Sequence, residues 1–270
     1  YVKSGADKRK VTSKEELRRL FEEADILHAD QIPVEESTLD DLDSDYFDQF
    51  YQREYGHGYK EEGINLNQLL ANLNLGKKNR LNLAGVLLFG KNPQKYKPQF
   101  SIKAVHFIGD EDTSDKYLDS EDIGGKLSSQ FINGMAFIKR NLRKEQKNQH
   151  RNTIGEIKIA EGVFEELLVN ALIHRNYFTN APIRLFIFNE RMELISPGIL
   201  PNNLTIENIK SGVSNQRNAI IASFATKQKL PFGLPYRGIG TGIKRALSLY
   251  PKIEFLNDIE NNFFKAIINF

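Results

Sequence analysis

Residues 161–175 have the sequence Glu-Gly-Val-Phe-Glu-Glu-Leu-Leu-Val-Asn-Ala-Leu-Ile-His-Arg. Its apolar residues recur with the helical period and predict a helix packed against a core. Glu166, Asn170 and His174 follow one another at intervals of four, so they lie on one face of that helix. Burying such groups without partners would cost about 1–3 kcal/mol each. We therefore expect this face to border a polar cleft, a ligand or a hydrogen-bond network.

The residue types on this face suggest metal-assisted nucleotide binding. A glutamate such as Glu166 can orient or deprotonate a water molecule, and the amide oxygen of Asn170 can join the oxygen shell that Mg²⁺ prefers. A buried network that holds a helix to a sheet would use the same residue types. Both interpretations stay open on this stretch alone.

Length and composition narrow the class of protein. The 270 residues suffice for one large or two modest domains. The chain has no cysteine, which excludes disulfides and thiolate metal sites, and its five histidines form no close ligand pair. We expect a cytoplasmic protein without a membrane span, because no run approaches 18 apolar residues. A net charge of +2 does not by itself indicate a nucleic-acid partner.

We expect three parts along the chain. Residues 1–44 contain a strand-like opening, a helix from Lys14 to about Glu23 and an acidic linker; the opening is typical of the end of a domain that begins upstream. Residues 45–152 form a helical and α/β middle region. Residues 153–270 form the module that contains the Glu166 helix.

Hydrophobic patterning predicts an α+β sandwich, in which helices cover one face of a largely antiparallel sheet. The elements that build it are a strand at 100–108, a helix over 123–142, a hairpin of 183–188 with 191–196, and closing strands at 252–256 and 263–270. In the hairpin, a two-residue turn would place Leu185 opposite Leu194 and Ile187 opposite Met192.

A basic cluster follows the predicted helix at 123–142. Its members include Lys139, Arg140, Arg143 and Lys144. They could contact the phosphates of a nucleic acid, but cations also suit a helix C-terminus and a solvated face. We favour the solvated face.

One apparent phosphate-binding motif is rejected. Gly85 to Asn92 nearly satisfies the P-loop pattern GxxxxGK[ST], but Asn92 replaces the hydroxyl that would bind Mg²⁺. Four consecutive large apolar residues between the two glycines belong in a core.

Two other glycine-containing segments could border a ligand. Residues 237–245, Arg-Gly-Ile-Gly-Thr-Gly-Ile-Lys-Arg, precede an amphipathic helix, so their backbone amides and the helix N-terminus could approach an anion. Residues 195–201, Ile-Ser-Pro-Gly-Ile-Leu-Pro, could turn over a flat ligand, with Ser196 bonding a base edge. A strand-terminating Pro-Gly turn is the alternative there.

The Glu166 helix, residues 195–201 and residues 237–245 occur in an order that resembles the GHKL ATPase superfamily. This superfamily includes gyrase, histidine kinases and MutL. The similarity is to the divergent branch labelled RecG-related ATP-dependent DNA helicase or transcriptional regulator. Residues 166–177 match its pattern ExxxNAxxHRxY, residues 195–201 resemble ISPGGLP with one glycine replaced, and residues 238–242 match GxGxG.

The resemblance implies a Bergerat-like fold that binds ATP with Mg²⁺. It implies Glu166 as the water-activating base and Asn170 as the Mg²⁺ ligand. The other implied nucleotide-binding residues are His174, Ser196, Gly198, Gly238, Gly240, Thr241 and Gly242. Ser196 stands where the usual adenine-binding aspartate would be, and Leu200 stands at that box's second glycine.

The opening residues resemble the tail of a Schlafen AlbA-type domain, which implies DNA binding by the full-length protein. No Walker A motif or helicase motor is present in the sequence, so we do not expect helicase activity. The first hypothesis is a nucleotide-binding module of a bacterial DNA-associated transcriptional regulator with slow ATP hydrolysis. The alternative is a non-hydrolysing domain for homodimerisation or DNA-binding regulation.

Overall fold

The computed structural model describes residues 2–4, 7–11, 13–24, 26–112, 116–142, 159–201, 204–227 and 234–270. Near the N-terminus, β1 (Val2–Ser4) pairs antiparallel with β2 (Asp7–Arg9). The helices α1 (Lys14–Glu23) and α2 (Ser44–Tyr55) follow. Each begins where a side chain accepts a hydrogen bond from the first turn, Ser13 for α1 and Asp43 for α2.

The middle of the chain contains a small hairpin between two helices. These elements are α3 (Leu66–Asn72), β3 (Gly76–Lys77), β4 (Arg80–Leu81) and α4 (Leu83–Phe89). Lys78 and Asn79 turn the hairpin with φ of 54° and 59°, the backbone sign that a two-residue type I′ turn requires. Every residue of α4 is buried. The segment that nearly matches a P-loop is therefore a core helix.

A six-stranded sheet forms the centre of the fold. Its strands are β5 (Ile102–Phe107), β6 (Tyr117–Ile123), β7 (Ile183–Ile187), β8 (Arg191–Pro197), β9 (Ile253–Asp258) and β10 (Phe263–Asn269). The order is β6-β5-β7-β8-β10-β9, and only the β5–β7 pair is parallel. The predicted α+β fold with a largely antiparallel sheet is confirmed.

Helices α5 (Leu127–Asn141), α6 (Glu161–His174) and α7 (Ile206–Ser211) cover the sheet. Two further helices, α8 (Ala219–Lys227) and α9 (Gly242–Leu249), pack against α6. Helix α6 contacts α5, α9 and strand β8. Leu185 pairs with Leu194, which pairs with Ala266, so these three buried side chains share one face. The predicted hairpin register is confirmed.

The predicted helix over 123–142 is wrong at its start. Ile123 ends the edge strand β6, and α5 begins only at Leu127, after Gly125 has turned the chain with a φ of 89°. Strand β6 has the sequence Tyr-Leu-Asp-Ser-Glu-Asp-Ile. Charged side chains are tolerated on an edge strand, so the acidic composition concealed the strand.

The described part of the basic cluster pairs with carboxylates of the same chain. Arg140 bonds Asp119 at 2.7 Å and Glu121 at 2.6 Å, and Lys139 contacts Glu161 at 2.5 Å. Arg143 and Lys144 lie outside the described residues. Because exposed pairs of this kind contribute little to stability, these contacts fit a solvated face. A role in binding nucleic acid stays a prediction.

The buried core is continuous through the described residues, and it includes both Phe47 near the start of the chain and Ile268 near its end. The boundaries that we predict after residues 44 and 152 stay predictions. Among the helices of the described ranges, none combines the length and the apolar character needed to cross a membrane.

Candidate functional site

The three sequence elements meet around one cleft. Helix α6 supplies one wall, the end of β8 with its following turn supplies the second side, and the glycine loop before α9 supplies the third. The cleft holds about 1030 Å³ of empty space, part of it open to solvent. All the residues that we predict to bind or act on a nucleotide line it: Glu166, Asn170, His174, Ser196, Gly198, Gly238, Gly240, Thr241 and Gly242.

Glu166 is enclosed at the junction of α6 and α9. It is only 4% exposed, and its carboxylate forms an ion pair with Nη2 of Arg245 on α9. Gly242 begins α9 directly beside this carboxylate, and a Cβ atom there would overlap Glu166 Oε2. The absence of a side chain at Gly242 therefore lets the two helices approach.

Asn170 lies one turn further along α6. Its Nδ2 donates to the backbone oxygen of Glu166 at 2.5 Å. This bond directs Oδ1 away from the helix backbone, and Asn170 borders the cleft. Oδ1, the atom that could ligate a cation, is thus not the atom that bonds the helix backbone.

His174 closes the stripe and connects α6 to the segment before the glycine loop. Its Nε2 lies 3.2 Å from the hydroxyl of Tyr236, and the two rings pack edge to face at 5.8 Å. Burial and the nearby Arg217 guanidinium lower the pKa of His174 to about 4. At neutral pH His174 is therefore an uncharged hydrogen-bonding group.

The turn after β8 is held mainly by other parts of the chain. The Ser196 hydroxyl donates to the backbone oxygen of Ala171 at 3.4 Å. Gly198 has a φ of 96° and packs against Asn176, whose backbone NH donates to the Pro197 oxygen at 2.8 Å. These contacts are sufficient to hold the Pro-Gly turn in place. The turn also borders the cleft.

The glycine loop forms the rim of the cleft. Gly238 and Gly240 have φ of 72° and 73°, a backbone region that side chains disfavour. Thr241 precedes the first turn of α9 and is exposed, as is Arg237. The loop therefore presents backbone groups and cationic side chains at the open side of the cleft.

Arg175 and Tyr177, which also belong to the sequence pattern, serve the fold. Arg175 is 2% exposed, and its Nη2 donates to the backbone oxygens of Thr179 and Ala181. Its guanidinium lies 4.7 Å from the ring centre of Phe100 and 4.9 Å from that of Tyr177. Backbone carbonyls and ring faces thus stabilise this buried cation, although its Nε has no hydrogen-bond partner among the described residues.

Tyr236 and Arg245 also line the cleft. No motif in the sequence indicates a role for either residue. Arg245 follows Gly242 by three residues, so a position facing the same side of α9 could be anticipated. The identity of its partner could not, because Glu166 lies on a different helix and no spacing rule connects the two.

Comparisons with known proteins agree with this architecture. Residues 180–264 match the family described as "Putative ATP-dependent DNA helicase recG C-terminal". That range includes Ser196, Gly198 and the glycine loop, whereas α6 precedes it. No curated protein matches the chain.

A solved structure shares the fold. It is the crystal structure of the DIP2311 protein from Corynebacterium diphtheriae, with a TM-score of 0.61 and 17% sequence identity over 90% of this chain. The match covers 46% of the DIP2311 chain, so the present chain spans less than half of that protein's length. This similarity shows the fold alone. The family match supports a RecG-related, ATPase-like domain at residues 180–264.

Proposed function

We propose that the cleft binds ATP together with Mg²⁺ and hydrolyses it slowly, within a DNA-associated transcriptional regulator. The observation that supports the proposal most is the convergence of Glu166, Asn170 and the glycine loop on one open cleft. A carboxylate, an amide and a glycine loop before a helix are the groups needed to orient water, hold a cation and bind phosphate.

The cleft has two kinds of lining, and both suit a nucleotide. The glycine loop, the N-terminus of α9 and the side chains of Arg237 and Arg245 favour negatively charged phosphates. Apolar side chains in the same lining suit a flat base. They include Ile199, Leu200, Leu204, Ile209 and Val213.

The residues present fit a Mg²⁺ ion held mainly by the nucleotide. In the described ranges, no group of three histidine or acidic side chains could hold a metal. Mg²⁺ often takes only one or two protein ligands and completes its shell with phosphates and water, so Asn170 Oδ1 would suffice. The ion would neutralise charge on the phosphates. Glu166, fixed four residues earlier on α6, would orient the attacking water.

Two observations favour the alternative of a non-hydrolysing regulatory domain for dimerisation or DNA binding. The Glu166 carboxylate is engaged by Arg245, and the Ser196 hydroxyl is engaged by Ala171. If both contacts persist when ligands are present, Glu166 is a weaker base and the Ser196 hydroxyl can accept a hydrogen bond from a base but cannot donate one. The two functions therefore differ in whether nucleotide binds and in whether Glu166 affects turnover.

Calorimetric titration with a non-hydrolysable ATP analogue, with and without Mg²⁺ and with GTP as a second ligand, tests the proposal. We expect Mg²⁺-dependent binding that falls about tenfold or more in Asn170→Ala, the loss expected for one charge-assisted contact. Glu166→Gln should still bind, while its ATP turnover falls at least about 100-fold.

The matched control is Asn72→Ala, which removes an exposed amide at the end of α3 and should leave binding unchanged. Equal affinity of the wild type and Asn170→Ala in the presence of Mg²⁺ would exclude Asn170 as the ligand. If no nucleotide binds to the wild type, the proposed function is wrong and the regulatory alternative remains.

A further inference from the structure

The ion pair between Glu166 and Arg245 is asymmetric in its exposure to solvent. The Glu166 side chain is 6% exposed and the Arg245 side chain is 32% exposed. Both residues border the cleft. Arg245 lies in the helix that begins at the glycine loop, three residues after Gly242. The guanidinium therefore contacts an enclosed carboxylate and belongs to the helix that the glycine loop precedes.

Two opposing requirements act on this pair. An enclosed carboxylate without a counter-ion is strongly destabilised, so Arg245 stabilises Glu166 before a ligand enters. A carboxylate paired through one oxygen can still accept a hydrogen bond at the other, but the adjacent guanidinium charge favours its ionised form and so makes it a weaker base. Release by Arg245 therefore makes Glu166 a stronger base.

An incoming phosphate offers Arg245 an equivalent partner. Guanidinium groups bind phosphate oxygens in the same forked geometry that they use for carboxylates. The glycine loop and the start of α9 leave backbone donors on the same side of the cleft. A phosphate held there would lie close to Arg245 and would compete with Glu166 for its charge.

We propose that Arg245 is a positioning residue that changes partners: it holds Glu166 before nucleotide binds, and it moves to the phosphates of a nucleoside diphosphate or triphosphate when one enters. This exchange frees Glu166 to orient water only when phosphate is present. The inference rests on the proposed function, and it adds a mechanism that couples phosphate binding to release of the base.

An exchange of partners affects the binding free energy of ligands that carry phosphate. Because Glu166 and the phosphates compete for Arg245, removing the negative charge of Glu166 should strengthen phosphate binding, but only while Arg245 is present. A static ion pair predicts the opposite result. Removing either Arg245 or the charge of Glu166 would then damage the same cleft, and ligands with and without phosphate would bind equally less tightly. A double-mutant cycle separates the two cases.

The experiment is calorimetric titration of adenosine, AMP and ADP, each with Mg²⁺, into the wild-type chain, Arg245→Ala, Glu166→Gln and the double variant. We expect Arg245→Ala to weaken ADP about tenfold or more and adenosine less than about threefold, as for loss of one charge-assisted contact to phosphate. Glu166→Gln should strengthen ADP about threefold or more in the wild-type background, and should not strengthen it when Arg245 is absent.

Lys244→Ala is the matched control, because Lys244 is exposed, carries the same charge and is not among the residues that line the cleft. Thermal unfolding checks each variant, and Arg245→Gln replaces Arg245→Ala if the latter does not fold. Equal weakening of adenosine and ADP by Arg245→Ala, or no gain in ADP affinity for Glu166→Gln, would overturn the exchange. Failure of the wild type to bind any nucleotide would overturn the proposed function and this inference together.

Discussion

The inner stripe of α6 and the turn that follows this helix use polar residues in different ways. In the stripe, Glu166 pairs with the partly exposed Arg245, and His174 bonds Tyr236 across the cleft. In the turn, Arg175 donates to nearby backbone oxygens and packs against two aromatic rings. Arg175 is buried with its hydrogen-bond partners in its own turn, so it serves the fold. Glu166 and His174 have partners that border the cleft, and such partners can be exchanged for a ligand.

The largest effect is expected at Arg175. Arg175→Ala should lower the free energy of unfolding by about 3–5 kcal/mol, because it leaves two carbonyl oxygens and a cavity in the core. Urea denaturation measures this change. The control Lys252→Ala removes an exposed cation and should change stability by less than about 0.5 kcal/mol. A loss of unfolding free energy below about 1 kcal/mol for Arg175→Ala would show that Arg175 does not stabilise the fold in the way described.

The next largest effect is expected at Gly242. Gly242→Ala should weaken binding of the ATP analogue about tenfold or more, because the added methyl group would overlap the Glu166 carboxylate and force α9 away from α6. Calorimetry compares it with Gly162→Ala, whose Cβ would lie 3.4 Å from Leu249 Cδ1 in ordinary contact. Equal affinities for the two variants would show that the close approach of the helices is not needed for binding.

An effect of similar size, dependent on pH, is expected from the protonation of His174. Its pKa is about 4 in the folded chain and 6.5 when unperturbed, so the unfolded state binds the proton more readily. The contribution to stability is complete above pH 6.5 and is lost as the pH falls toward 4, by about 1–3 kcal/mol. Denaturation at several pH values should show this slope in the wild type and a shallower one in His174→Gln. Identical pH profiles would mean that His174 does not stay neutral in the fold.

The smallest effect is expected at Ser196. Its hydroxyl donates a long bond of 3.4 Å to Ala171, so Ser196→Ala should lower the free energy of unfolding by less than about 1 kcal/mol. The ratio of affinities for ATP and GTP should change less than about threefold. A tenfold loss of selectivity would instead show that the hydroxyl turns to the base and replaces the missing aspartate.

Local features of the fold were predictable from the sequence. The β7–β8 hairpin has the predicted register, because strand alternation and a two-residue turn allow only one pairing that buries Leu185 with Leu194. Helix α4 is a core helix, because four large apolar residues cannot form a phosphate loop. Strand β6 was missed, because pairing with β5 at the sheet edge stabilises an acidic segment whose own pattern does not favour a strand.

The candidate site likewise combines features set by local sequence with features set by tertiary contacts. Helical period and backbone sterics are enough to put Glu166, Asn170 and His174 on one helix face and a glycine loop before α9. Tertiary packing sets which groups meet: Arg245 with Glu166, and Tyr236 with His174. These contacts join segments far apart in the chain, where the packing of α9 against α6 sets the distances and the spacing of residues carries no information about them.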